Sequence, residues 1–297
     1  VRIRDPYAVG GAYRKAQLHC HTSRSDGRFA PVDLARRYRD AGYAFVCFTD
    51  HNVLTRCDDA SDGEFVALPG VEETVSWGVP PLGPHLGRLM VDEVLGSGSA
   101  QERITRTLRA GGVPCLHHPS WTGNLWTGAW SAETMASLPG PFLVEIWNPH
   151  SNTTEDVRRW LRAVRAHGSA VVIGAVASDD CHTALQFNRG WVMVKVASVT
   201  AEALRAALLA GAFYASTGVV ADFGTDGAAI TVTSDADEAI VFDAAGADRI
   251  RMPGGSGRYP VAGDEGFARV ECRAGARRAW SQVFWIEGPA AGQTRTR

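Results

Sequence analysis

Nothing in the chain reads as a membrane or export element. No apolar run approaches the ~18 residues that a bilayer-spanning helix requires, and the N-terminal VRIRDPYAVGG has no apolar signal core. Charge of one sign is also missing: the formal net charge is -2 over 297 residues. That balance excludes the basic footprint of a duplex nucleic-acid or anionic-membrane binder. The six cysteines (Cys20, Cys47, Cys57, Cys115, Cys181, Cys272) include no CxxC pair, which excludes a zinc ribbon and gives no disulfide framework. Several lie in apolar runs such as FVCFTD, where cysteine acts as a small buried hydrophobe. A reducing, cytoplasmic setting is the expectation. There is no internal repeat and no low-complexity tract, and lysine is nearly absent, with only Lys15 and Lys195.

Through the first two thirds, short β-rich runs alternate with helical patterns. AQLHCH (16–21), AFVCFTD (44–50), EFVALPGVE (64–72), RLMVDEVL (88–95), VPCLHH (113–118), 142–147, SAVVIGAVASDD (169–180) and WVMVKV (191–196) read as strands. Helices are expected over 31–41, 100–110, 154–167 and 200–210; Pro31 suits a first turn and Gly42 a C-terminal stop. Continuous aliphatic runs between amphipathic helices point to a mainly parallel sheet covered by helices, and their number favours a (β/α) barrel over an open sheet. After Gly218 the pattern becomes alternating apolar and polar with Asp/Gly turns, the mark of a small antiparallel β module. The expected division is a barrel over 1–220, a β module over 221–288 and a tail over 289–297.

The chemistry-bearing residues gather at the ends of these strands. LHCHT presents His19 and His21 two apart, on one face of a strand. Asp26 follows in SRSDG; FTDHN ends with Asp50 and His51; GVEET carries Glu72 and Glu73; LHHP carries His117 and His118; ASDDCH carries Asp179, Asp180 and His182. Six of the nine histidines fall at these termini. So many imidazoles and carboxylates at one rim would be prohibitively costly to bury without a cation. Mixed N/O donors suit Zn, Mn or Fe better than Ca or Mg, and the number of donors exceeds what one ion needs, so two or three divalent ions are expected. His117, adjacent to His118, points to the opposite face and is read as supporting the site rather than binding metal.

Taken in order, LHCHTSRSDG, FTDHN, GVEET, HHP and DCH resemble the four motifs of the polymerase-and-histidinol-phosphatase (PHP) family of metal-dependent phosphoesterases, over about residues 16–217. The resemblance implies a distorted (β/α)7 barrel with two or three metals at its C-terminal rim. It implies His19, His21, Asp26, His51, Glu72, His118, Asp180 and His182 as ligands. PHLG resembles the family segment with a histidine after the glutamate motif, which makes His85 a candidate for metal or substrate. Where fuller members carry a further histidine this chain reads VEIWNPH, leaving Glu145, Asn148 or His150 to replace it. SDDCH, RGWVMV and FYASTG followed by a β module also resemble the branch near carbaryl hydrolases, which cleave a carbamate ester.

The expected activity is hydrolysis of phosphate mono- or diesters of small molecules by a hydroxide held between metals. Asp50 would orient its neighbouring ligand, and His85 or a bound water would protonate the leaving group. Carbamate or carboxylic ester hydrolysis at the same centre is the alternative; a metal-stabilised binding module is the non-enzymatic one. Nucleic acid and membrane are not expected partners, and the β module offers a surface for a homo-oligomer. Arg24, Arg28 and Arg189 are the only clamps suggested for a phosphate. Trp121, Trp126, Trp130 and Trp191 cluster near the motifs, either as ordinary lid packing or as an apolar wall for substrate.

Overall fold

The computed structural model describes residues 1–75 and 82–288; the expected 289–297 tail lies outside them. Two compact units are present, Gly10–Ala215 on one side and Val1–Val9 with the described residues from Ser216 on the other. Among the described residues no helix is long and apolar enough to cross a membrane.

In the larger unit, one sheet runs in the order Phe213–Ser216, Trp191–Val196, Ala12–Gln17, Tyr43–Cys47, Val66–Leu68. The other runs Gly70–Thr74, His85–Leu89, Val113–Leu116, Phe142–Trp147, Ile173–Ala177. The expected third strand is therefore split at Pro69, so that its two halves belong to different sheets. On the opposite flank the sheets are joined by the isolated Cys20–Cys181 bridge and by no ladder. Among the described residues no closed barrel forms, which corrects the expected (β/α)7 ring to a mixed α/β fold of two sheets. The cause is partly connection length. Residues 75–84 are too few for the dozen or so residues of a crossover, and His85–Leu89 pairs antiparallel with both neighbours. Trp191–Val196 is likewise antiparallel to Ala12–Gln17. The expected 88–95 strand ends at Leu89, because the chain turns at Met90 with φ 56°.

The helices follow their local signals. Pro31–Asp40 starts on proline and buries Leu34, Ala35 and Tyr38, one face of the helix. Ala100–Arg109 opens with a capping box between Ser99 and Glu102. Asn152 caps Thr153–His167, and Ala201–Ala210 stops at Gly211 in the left-handed region. Behind the strands, Phe45, Leu89, Val113, Leu143, Val176 and Phe213 are among the residues of one apolar core.

The smaller unit is antiparallel throughout. Phe267–Ala274 pairs with Glu238–Asp243, Arg277–Trp280 and Phe284–Glu287, and the last of these receives Arg2–Arg4. Ala221–Thr225, Ala229–Ser234 and Gly257–Pro260 form a second sheet. The N-terminal residues enter this unit through Tyr7, whose ring packs 5.7 Å from Phe223 and 5.6 Å from Phe284. The Tyr7 hydroxyl accepts the Gln282 N–H at 2.7 Å.

Candidate metal centre

Backbone hydrogen bonds beyond the ladders draw the motifs together. Asp180 N–H donates to His19 O (3.1 Å) and His21 N–H to Cys181 O (3.0 Å), joining the two HxH-like ends. Asn52 N–H donates to Glu72 O (2.8 Å) and Glu72 N–H to Asp50 O (3.2 Å). His117 N–H reaches His85 O at 3.2 Å. His118 (φ 28°) and Asp180 (φ 47°) hold left-handed backbone, a conformation that non-glycine residues keep mainly where the surrounding fold enforces it.

Three donor atoms then crowd His19 Nε2. His19 Nε2 lies 3.1 Å from His21 Nε2, 3.2 Å from Asp180 Oδ1 and 3.3 Å from Glu72 Oε1. His21 Nε2 is 3.2 Å from Asp180 Oδ1 and 3.4 Å from Glu72 Oε2. One N–H cannot donate to three partners, and two basic nitrogens facing each other share at most one proton. Donors around an ion with tetrahedral bonds of about 2.0–2.1 Å stand about 3.3 Å apart, close to the three separations from His19 Nε2. A second group sets Asp26 3.2 Å from His182 Nε2 and 3.6 Å from both His51 Nε2 and His21 Nδ1. A third sets Glu72 within 3.3 Å of His51 Nδ1, His85 Nδ1 and His118 Nε2. Glu72 belongs to both buried groups. His21 Nδ1, Glu72 Oε2, His85 Nδ1 and His118 Nδ1 are buried without a hydrogen bond of good geometry. The donor set therefore fits divalent cations.

The electrostatics match. Burial opposes ionisation of Glu72, but His85, His19 and His51 outweigh it and hold the carboxyl well below its usual range. Asp180 is held down in the same way, by His19 and His21 against burial. Burial drives His21 down to about 4 despite its acidic neighbours. Ionised carboxylates are what a cation requires; against burial, the same carboxylates raise the His19, His51 and His118 imidazoles, so a cation would bind there by displacing protons.

Around these atoms, supporting contacts fix the rings. Glu145 Oε1 accepts the His19 Nδ1 proton at 2.7 Å, which leaves Nε2 free to face the centre. Its Oε2 accepts from His118 N–H (2.6 Å) and Asn148 Nδ2 (2.9 Å). Gln17 is fully buried, with Oε1 accepting the N–H groups of Leu18, His19 and Asp179. His117 stacks on His19 at 3.6 Å and sets Nδ1 2.8 Å from Glu72. Asp179, the alternative to Asp180, points away: it accepts from Asn188, Arg189 and Gly190 N–H and from the Tyr38 hydroxyl. Asp50 is placed outside the pocket, its carboxylate taken up by Thr22, Ser25 and Thr55 with no contact to His51. It ties loops rather than touching the neighbouring imidazole.

A cavity of about 490 Å³ opens over the centre, lined in part by Asp26, His51, Glu72, His85, His118, Asp180 and His182. His150 lines it too, as do Asn52 and Thr74, the last residues of FTDHN and GVEET, and Asn124 and Gln186, which lie outside the motifs. Arg24, Arg28 and Arg189 do not line it. Of the tryptophans, Trp121 is in the wall, Trp130 is buried with its indole N–H on His85 O, and Trp191 packs over Lys15.

No protein-family profile matches the chain, and no curated protein matches it either. Solved structures do. A two-domain protein of Bacteroides vulgatus containing a predicted PHP-like metal-dependent phosphoesterase aligns over 98% of this chain and 91% of its own, at 15% identity and TM-score 0.54. This likeness shows a shared fold. A proposed metal-dependent phosphoesterase of Bifidobacterium adolescentis aligns over 66% of this chain and 96% of its own, at 17% identity and TM-score 0.45. An amidohydrolase of Chromobacterium violaceum aligns over 56% and 87%, at 15% identity and TM-score 0.39. Scores below 0.5 add nothing to the assignment.

Proposed function

We propose that the chain is a metal-dependent hydrolase of phosphate mono- or diesters of small molecules. The observation that carries this reading is the crowding of His19 Nε2 by His21 Nε2 at 3.1 Å, Asp180 Oδ1 at 3.2 Å and Glu72 Oε1 at 3.3 Å, a set that hydrogen bonding cannot satisfy. His19, His21, Glu72 and Asp180 would hold one ion, and Asp26, His51 and His182 with His21 a second. Glu72, His85 and His118 supply donors for a third. Zn, Mn and Fe suit these donors. When bound, such ions supply Lewis acidity and an activated water.

The protein's own residues do the rest. Glu145 keeps the proton of His19 on Nδ1. Asn124 Nδ2 donates to Gly83 O and faces His85 Nε2 at 3.0 Å, which suits a neutral His85 with Nδ1 turned toward Glu72; the proton for a leaving oxygen would then come from a bound water. The open cavity and near-neutral chain charge favour small substrates over polymers. One feature supports a carbamic or carboxylic ester as second reading: among the described residues no Lys or Arg lines the cavity. The test is turnover of phosphate esters and of aryl carbamates, side by side, on protein loaded with Mn, Zn or Fe. Turnover lowered at least about a thousandfold by Asp180→Ala is expected. No turnover of either class with any of the metals would refute the proposal.

A further inference from the structure

The charged groups of the cavity lining are taken up by the candidate centre. Its carboxylates, Asp26, Glu72 and Asp180, all belong to the donor groups, and among the described residues no Lys or Arg lines it. Of the five histidines in the lining, His150 alone stands outside those groups. Its ring meets His182 edge-on, centroids 6.3 Å apart. Among the described residues its only hydrogen bond is made by the backbone, N–H to Asn148 Oδ1 at 2.8 Å, so both ring nitrogens are available to a ligand. Gln186 is similar. Its Oε1 accepts from Thr183 N–H (2.9 Å) and Oγ1 (2.6 Å), which leaves Nε2 to face the cavity that the residue lines.

The other named element of the wall is Trp121, with ring centroids 4.8 Å from His118 and 5.1 Å from His85. Gly123 and Gly128 press on its indole, where an added Cβ would fall 1.9 and 2.5 Å from ring atoms, so the ring is held by its own loop. The loops of Trp121 and His150 are joined beneath the cavity. Asp156 is fully buried and accepts both Ser120 N–H at 2.7 Å and the Ser151 hydroxyl at 2.5 Å. Ser120 Oγ accepts Asn152 N–H at 2.7 Å. Asn148, which positions His150, also donates to Glu145 Oε2 at 2.9 Å and to Asp180 Oδ2 at 3.3 Å. An indole and an unpaired imidazole are therefore set in one frame with the candidate centre, which is how a binding wall is kept in register with a reacting group.

The chemistry of this wall defines what it can hold. An indole offers a surface for C–H groups, while an imidazole and an amide offer donors and an acceptor for hydroxyls. A second phosphate would meet no cation, and an ammonium group would meet no carboxylate outside the donor groups. We infer that Trp121, His150 and Gln186 bind the alcohol portion of the ester and that this portion is an uncharged polyol, a reading that rests on the hydrolase proposal for its reaction. Water oxygen joins phosphorus, the bond from phosphorus to the leaving oxygen breaks, and a proton of that water ends on the leaving oxygen, which departs as one more hydroxyl of the polyol. Alcohols without further hydroxyls leave His150 and Gln186 unmatched, and those with a second charge pay to bury it.

The test is equilibrium binding to the metal-loaded full chain, with two matched pairs of ligands that cannot be turned over by ester cleavage. One pair is 3,4-dihydroxybutylphosphonate and butylphosphonate; the other is 4,5-dihydroxypentanohydroxamate and pentanohydroxamate, whose head group binds divalent metals without phosphorus. In each pair the wild type is expected to bind the diol at least about tenfold more tightly, the effect of two net hydrogen bonds. His150→Ala combined with Gln186→Ala should bring both ratios near one by weakening the diols, with bound metal and thermal midpoint unchanged; His150→Gln, which still donates and accepts, should keep most of the preference. Ratios near one in the wild type, or a preference that survives the double substitution, overturn the inference. Phosphonates that bind without preference sink the polyol wall and leave the phosphoester reading standing. If the phosphonates fail to bind while the hydroxamates show the preference and lose it in the variant, the wall stands and the phosphoester reading falls. If neither pair binds, the wall falls.

Discussion

At the scale of single residues, the account turns on which atom of each imidazole faces the centre. Glu145 sets this for His19 by taking the Nδ1 proton. Glu145→Gln should therefore leave the fold intact and weaken metal binding about 10- to 100-fold, measured by competition with a coloured chelator. Unchanged affinity would show that Glu145 is packing only. The ligand candidates at strand ends were legible because histidines and acids rarely end several strands without a chemical reason. Glu145 and Gln17 were far less so, since a lone acid in VEIWNPH or a glutamine in a buried strand has no spacing to mark it. The role expected of Asp50 went elsewhere: three nearby hydroxyls compete for its carboxylate, and a sequence does not reveal which wins.

At the scale of elements, the strand His85–Leu89 carries much of the site's support. Its Gly87 faces His117 so closely that an added Cβ would lie 2.2 Å from Nε2. Gly87→Ala should push His117 off Glu72 and His19, lowering both the thermal midpoint and metal content; an unchanged metal content would show that His117 is dispensable. Next to Glu72, Glu73 points the other way into a fully buried pair with Arg88 (3.0 Å) and a contact with Arg103. Removing both arginines leaves Glu73 a buried, unpaired charge, so Arg88→Met combined with Arg103→Met should cost at least about 3–5 kcal/mol in a denaturant titration. A loss below ~1 kcal/mol would mean that water reaches Glu73. Helices were marked in the sequence by signals such as Pro31 and Gly42, with the Ser99/Glu102 box and the Gly211 stop seen only in the structure. Strand direction was not. The strand expected at 88–95 overlaps the observed His85–Leu89 (HLGRL) in two residues, which carry no mark of direction, and only the short 75–84 connection hints at the antiparallel pairing that leaves the sheets unclosed.

At the scale of the whole molecule, a cluster of buried carboxylates and imidazoles is a stability liability until cations offset it. Chelation should lower the thermal midpoint, and metal at 100 times its Kd should restore about 2.7 kcal/mol. Asp180→Ala should abolish most of that difference; an equal metal effect in the variant would place the stabilising ions elsewhere. The two-unit plan was partly legible from the change of pattern after Gly218. That Val1–Val9 cluster with the later unit was not, because a three-residue strand such as Arg2–Arg4 has too little pattern to declare its partner. The central claim is tested most directly by anomalous diffraction at the metal edges on crystals of metal-replete protein. The account predicts at least two peaks, one about 2.0–2.2 Å from His19 Nε2, His21 Nε2, Glu72 and Asp180, and another beside Asp26, His51 and His182. Crystals that contain the metal but show no peak among these side chains would contradict it.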